Sequence, residues 1–192
     1  SNTSAGFPHL FIGTGRPVDV GIGRLQAEFT WGELSESDFF DQDESNDDRL
    51  FAGIAIGIEP RGLPGLWLGV TRAYHKSIPP DGLSISEILR APYTKIQRNI
   101  GAGDNNLLSV FARWALAPAG FEIYGEWARD EGWESGADFI REIDHSQGYG
   151  IGFQKIVTDS SRMYRVYGEL LHLESALPYR AGRTVVTFYQ NG

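Results

Sequence analysis

The amino-acid sequence predicts an all-β protein: an antiparallel up-and-down meander that forms a segment of a transmembrane β-barrel. Three observations predict this class. They are the length of the segments in which apolar and polar residues alternate, the alternation of short and long connections between those segments, and the chemistry of the two faces. The 192-residue chain is also rich in glycine, with 24 residues, and 12% of it is aromatic, a composition that favours sheets over helices.

Alternation with a period of two residues marks the predicted strands, because successive strand side chains point to opposite faces. Most of these segments are about nine to thirteen residues long, whereas strands of globular proteins most often have about five or six residues. A tilted strand that crosses a bilayer needs about nine to eleven residues. The predicted strands are 22–34, 50–58, 66–76, 106–117, 121–131, 147–157, 162–174 and 183–190, with a ninth at 9–13.

The connections between these strands are alternately short and long. The short ones, 59–65, 118–120 and 158–161, carry Pro, Gly, Asp and Ser, whereas 35–49, 77–105, 132–146 and 175–182 are long and polar. Outer-membrane barrels have short turns on one rim and long loops on the other. Two short helices are predicted inside the long loops. One is at 84–90, where Ser84 and Glu87 have the spacing of a capping box, and the other is at 137–143.

The hairpin at 109–131 illustrates the predicted faces. Val110, Trp114 and Ile123 share one side, whereas Arg113 and Glu122 share the other. The polar faces carry Gly, Tyr, Arg and Glu, which suits a crowded barrel lumen better than a sheet surface in bulk water. Strand 66–76 is the exception, because its apolar residues share their parity with an arginine, and its faces cannot be assigned. Trp31, Trp114 and Trp127 have apolar parity and are expected in an interfacial aromatic girdle.

Composition excludes several classes of function. The net charge of −8 argues against nucleic-acid binding, which usually needs a basic stripe. The absence of cysteine excludes disulfides and thiolate metal sites. The four histidines lack ligand spacing, and the acidic stretch 41–48 lacks the glycine and the bidentate glutamate of a calcium loop. We therefore expect no metal and no cofactor.

The candidate site residues are polar, and we expect them to form an ion-pair network in the lumen or to bind glycan. They are Glu28, Arg72, Arg113, Glu122, Tyr124, Glu126, Arg129, Asp130, Trp133, Arg165 and Glu169. Glu122 and Glu126 lie about 13 Å apart along one strand, farther than the carboxylate pairs of glycosidases. A partner such as Glu28 or Glu169 from another strand could close that gap. We nevertheless assign no catalytic residue and expect no enzyme.

Several motifs resemble the capsule assembly protein Wzi family of bacterial outer-membrane β-barrels. They are FPHLFIG (7–13), FTWGELSES (29–37), LPGLWLGVTR (63–72), FEIYGEWARDE (121–131) and DHSQGYGIGFQK (144–155), and they follow one another along most of the chain. The resemblance implies a role in attaching or assembling capsular or extracellular polysaccharide at the outer membrane, in contact with its lipid and without catalysis. Family members are larger barrels, so we expect residues 1–192 to be a single barrel segment of eight or nine strands, truncated at both ends.

Two alternatives from other classes remain at this stage. One is a porin-like channel for a small solute, since a porin also needs a polar lumen. The other is a soluble all-β module that binds or hydrolyses carbohydrate, since a soluble antiparallel sheet also alternates apolar and polar residues. The two membrane hypotheses share one physical requirement, which is that lipid, rather than a second layer of protein, covers the apolar face.

Overall fold

The structure, a computed structural model, describes residues 6–36, 47–93, 105–130, 147–159 and 161–174. These residues form one antiparallel sheet of nine strands with the order β1-β3-β4-β5-β6-β7-β8-β9, in which β2 also pairs with β3. The strands are β1 (His9–Gly13), β2 (Val18–Asp19), β3 (Gly23–Ser35), β4 (Asp48–Pro60), β5 (Leu66–Ser77), β6 (Asn105–Leu116), β7 (Phe121–Asp130), β8 (Gln147–Asp159) and β9 (Arg162–Glu174).

The predicted all-β meander is confirmed, and each predicted strand that the structure describes lies within two residues of its predicted ends. The short β2 was not predicted. It continues the edge begun by β1 after a break that contains Pro17, and both strands pair with β3. The predicted strand 183–190 and the predicted helix 137–143 lie outside the described residues. The predicted helix at 84–90 is present as α1 (Ile85–Arg90).

Two of the three short connections are held by glycines in left-handed backbone conformations, which residues with a Cβ rarely adopt. Gly62 and Gly65 have φ of 92° and 82° between β4 and β5. Gly120, with φ of 56°, ends a 3₁₀ turn at Ala117–Ala119 between β6 and β7. The buried carboxylate of Glu59 accepts hydrogen bonds from the Gly65 N–H and from Arg24, which fixes the β4–β5 turn against β3.

The cross-strand registers define two faces, because directly opposed residues in a sheet point to the same side. The apolar face collects large apolar residues from β3 to β9, and Ile56 on β4 is opposed there to Ala27 and Val70. The polar face carries the alternate residues. The registers also settle strand β5: Leu68 and Val70 lie on the apolar face, and Arg72 lies there with them, opposite Ile54 and Leu108.

Protein covers the apolar face at one place in the described part of the chain. Residues 78–93 fold back over the long-loop ends of β3–β5 and bury a small cluster there. The cluster contains Leu50, Ala52, Tyr74 and Ala91, with Trp31, Ile78, Leu83 and Ile88 packed against it. We call residues 78–93 the covering segment. Among the described helices, none is long and apolar enough to span a membrane.

Candidate functional site

The first candidate site is the part of the apolar face on β5–β9 that the covering segment leaves open, which we call the apolar belt. Its large side chains are exposed: Val110 is 39% exposed, Ile151 53% and Leu170 57%. The alternate positions, by contrast, are often buried, as with Ser109 and Gly152. This is the reverse of a soluble sheet, in which apolar side chains are covered and polar ones meet water. An exposed apolar surface of this extent is typical of an interaction site.

The belt is slanted with respect to the strands. One row of directly opposed residues runs straight across the sheet: Leu25, Ile58, Leu68, Ala112, Gly125, Ile151 and Leu170. In this row Leu25 is the third residue of β3, and Leu170 is the ninth residue of β9. From β3 to β9, across six pairs of neighbouring strands, the short-turn ends of the strands therefore shift by six residues relative to the row. With about 3.3 Å per residue and about 4.8 Å between strands, the line of strand ends is inclined by about 35° to the row.

The long-loop border of the apolar side chains follows the same slant. On the apolar face of β3 the last apolar residue before the loop is Trp31, and Glu33 comes next. On β9 the last apolar residue is Leu170, and His172 comes next. Leu170 lies in the same cross-strand row as Leu25, which is six residues before Trp31 on β3. The flat hydrocarbon layer of a bilayer can follow such a slanted border only if the strands tilt by about 35–45° from the membrane normal. Transmembrane barrel strands have this tilt.

Aromatic residues line both borders of the apolar face. Phe29, Trp31, Trp127 and Tyr149 lie towards the long loops, and Trp114, Phe121, Phe153 and Tyr164 lie towards the short turns. The indole N–H of Trp127 donates to Gln147 Oε1 at 2.9 Å, so its polar atom is satisfied by an amide on the long-loop side of the aromatic border. Lys155, on the same face, donates to the Ala119 carbonyl in a short turn. Aromatic rings and long cationic side chains adopt such positions where water meets hydrocarbon.

The second candidate site is a polar cluster on the opposite face near the short turns. Arg113, Tyr124, Gly152 and Glu169 form one cross-strand row. Arg113 Nη2 donates to Glu122 Oε2 at 2.6 Å, and the Tyr124 hydroxyl donates to Glu169 Oε2 at 2.5 Å. We call these five residues the β6–β9 clasp, since their hydrogen bonds connect β6 to β7 and β7 to β9.

Glycine makes the clasp possible. The Tyr124 ring lies across β8 at Gly152, where a Cβ would overlap the ring. On β6, Phe111 lies across Gly69 of β5 in the same manner, with its ring near Gly57 of β4. The rings of Tyr124 and Phe111 therefore lie flat along the polar face of the sheet.

The structure divides the predicted site residues into three groups. Eight lie on the polar face: Glu28, Arg113, Glu122, Tyr124, Glu126, Asp130, Arg165 and Glu169. Within this group Glu28 is on β3, separated from Arg113 by β4 and β5, so this part of the sheet does not pair it with the clasp. Arg165 stacks on Tyr167, with its guanidinium carbon 5.3 Å from the ring centroid. Trp133 lies outside the described residues.

The predicted placement of Arg72 and Arg129 in the polar network was wrong. Both lie on the apolar face at its long-loop border, in one row with Leu108 between them. Arg72 donates to Asn106 Oδ1 and to the Pro92 carbonyl, each at 2.7 Å. Arg129 shares its parity with Ile123 and Trp127, so alternation already indicated the apolar face for it, whereas the faces of the strand that carries Arg72 could not be assigned from its sequence.

Sequence reasoning missed Gly152 and the covering segment. The row of alternating glycines Gly148, Gly150 and Gly152 on β8 was a usable signal, since such a row leaves room for neighbouring side chains to cross the strand. Trp67 lies on the polar face opposite Arg113. In the described part of the chain, no group of three His, Asp or Glu residues is placed to hold a metal ion.

Comparisons with known proteins return nothing for this chain: no protein-family model, no curated protein and no solved structure matches it. The structure establishes the class of the protein as an antiparallel β-meander with one exposed apolar face. The resemblance to capsule assembly proteins stays a prediction from the sequence motifs.

Proposed function

We propose that this chain is a segment of an outer-membrane β-barrel protein that attaches or assembles capsular or extracellular polysaccharide. The observation that carries the membrane assignment is the slanted, exposed apolar belt between two aromatic borders. The lumen assignment of the polar face is supported by its glycines, its flat aromatic rings and the clasp. Barrels with short turns on one rim and long loops on the other occur in the bacterial outer membrane.

The belt favours lipid over water as the surrounding medium. Ile151 and Leu170 each leave more than half of their surface uncovered, and full burial of one such side chain is worth about 1.5–3 kcal/mol. A soluble module would lose this contribution along β5–β9. A bilayer supplies this burial free energy without a second protein layer. A bilayer also explains the slanted border of the belt, because its hydrocarbon layer is bounded by flat planes that tilted strands cross obliquely.

The polysaccharide part of the proposal is supported by the sequence resemblance and by the chemistry of the polar face. Near the clasp this face presents Trp67 and Tyr167 together with Gln154. Rings provide flat apolar surfaces for the carbon faces of sugars, and amides and carboxylates hydrogen-bond their hydroxyls. The same residue types occur in the lumen of a solute channel, which is the second candidate function.

The membrane assignment is tested with Val110→Arg, compared with Glu126→Arg in the full chain reconstituted in bilayers. Val110 lies in the belt, whereas Glu126 lies on the polar face of the adjacent strand. We expect Val110→Arg to lower the free energy of unfolding by about 2–4 kcal/mol, the cost of a cation that faces mid-bilayer lipid, and Glu126→Arg to lower it by much less. Equal effects would contradict the membrane assignment.

The polysaccharide assignment is tested with Tyr167→Ala, compared with Tyr164→Ala on the opposite face of the same strand. We expect the Tyr167 variant to retain less polysaccharide at equal protein abundance, and the Tyr164 variant to retain the wild-type amount. Stable open-channel current in planar bilayers, with retention unchanged in both variants, would replace the attachment role with the channel.

A further inference from the structure

The covering segment contains an apolar surface that its own packing leaves unused. In α1, Ile88 turns towards the sheet, while Ile85 is 76% exposed and Leu89 is 55% exposed. Residues four apart lie on one side of a helix, so these two side chains form a single outward ridge. Tyr93, in the 3₁₀ turn at Ala91–Tyr93 that follows, is also exposed.

The segment is fastened to the outside of the sheet by specific contacts. The indole N–H of Trp31 donates to the Ile88 carbonyl at 3.0 Å, and Arg72 Nη1 donates to the Pro92 carbonyl. The rings of Phe29 and Tyr93 lie 6.1 Å apart. These contacts hold a helix against the same face that carries the apolar belt on β5–β9, and they satisfy backbone carbonyls that water would otherwise have to solvate.

The position of α1 relative to the belt defines what surrounds it. Trp31 and Tyr74, which the segment covers, lie in the last apolar row of β3 and β5. On the loop side of that row the same face carries Glu33 and Lys76, and Lys76 forms an ion pair with Glu87 of α1 at 3.7 Å. The helix thus lies along the border, with charges on its loop side and an apolar ridge pointing away from the sheet.

We propose that α1 and the 3₁₀ turn after it form an interfacial element that inserts Ile85, Leu89 and Tyr93 into the membrane at the level where lipid headgroups meet acyl chains. This inference rests on the proposed membrane function and adds a lipid contact outside the strands. A short helix with an apolar ridge and charged flanks takes such a position in the interface plane. Tyr93, whose ring contacts Phe29 on the apolar face, connects the ridge to the surface that the proposed function assigns to lipid, and this continuity commits the site to lipid rather than to a protein partner.

The absence of native cysteine permits single-site nitroxide labelling of the full chain in liposomes. Three variants are compared: Leu89→Cys on the ridge, Val110→Cys in the belt and Asp81→Cys in the loop before α1. Power-saturation electron paramagnetic resonance then measures collisions of each label with oxygen, which concentrates in lipid, and with a water-soluble nickel chelate. We expect the Val110 label to be deep, the Leu89 label to be shallow but in lipid, and the Asp81 label to be in water.

The outcomes separate the two proposals. If the Val110 label is deep and the Leu89 label meets the nickel chelate as often as the Asp81 label does, the interfacial element is refuted and the barrel stands. If the Leu89 label meets neither collider, protein covers the ridge and the lipid assignment is overturned. If the Val110 label is not in lipid, the membrane function itself fails. All three positions are exposed, so the labels leave the packed cluster intact.

Discussion

The same apolar face has two different surroundings in this molecule. At the long-loop ends of β3–β5 it is packed against protein, and Ala52 and Tyr74 are buried. Along β8 and β9 it is bare over strands of 13 residues each, and its aliphatic side chains are exposed. One pattern of alternation thus produced a packed surface and an open one, so apolar parity identifies the face to be covered but not the medium that covers it.

The largest effect is expected where the face is packed against protein. Trp31→Ala removes a half-buried ring from the covered cluster and the hydrogen bond to the Ile88 carbonyl, so we expect a loss of about 3–5 kcal/mol in the free energy of unfolding. Chemical denaturation in bilayers measures it. Ile151→Ala, on the bare region, is the contrast: mobile lipid fills the vacated space, so its cost should be well below that of Trp31→Ala. Equal costs would contradict the difference between the two regions.

A charge in the bare region should have the next largest effect. Ile151→Arg puts a cation into the belt, and we expect it to cost about 2–4 kcal/mol in a bilayer. Gln154→Arg puts the same cation on the polar face of the same strand and should cost less than 1 kcal/mol, about the range of surface substitutions. A large loss from Gln154→Arg together with a small loss from Ile151→Arg would mean that the two faces have been interchanged.

The clasp lies on the polar face of β6–β9, opposite the apolar belt. In Gly152→Ala the new methyl group would overlap the Tyr124 ring, so the hydrogen bond to Glu169 must be broken or displaced, and we expect a loss of about 1–3 kcal/mol. Gly125→Ala is the matched control, since the nearest atom to its added Cβ is the Gly150 carbonyl oxygen at 3.6 Å. Equal free energies of unfolding for the two variants, measured in bilayers, would show that the clasp does not stabilise the sheet.

Much of the fold could be predicted from sequence because alternation, turn residues and loop lengths are local properties. The hairpin around Pro118 and the capping box at Ser84 both form as predicted. The candidate site was harder to predict from the sequence. Tyr124 contacts Glu169 across an intervening strand, and the face on which Arg72 lies follows only from its register with Ile54. The covering segment could not be predicted either, because its packing depends on long-range contacts that no periodicity records.

The smallest effect concerns how firmly the covering segment is held. Hydrogen bonds from the Ser84 hydroxyl and the Ser84 backbone N–H, helped by the charge of Lys76, lower the pKa of Glu87 below its ordinary value. The ionised carboxylate is thus favoured in the folded segment. The contribution of this carboxylate to the stability of the segment is fully present above the unfolded-state pKa and is lost as the pH falls through the lowered folded-state pKa.

We therefore expect a nitroxide at Leu89→Cys to become more mobile as the pH is lowered through the folded-state pKa of Glu87. Adding Glu87→Gln should leave the label equally mobile across the same range, whereas a transition of unchanged size in the Gln variant would assign it to another carboxylate.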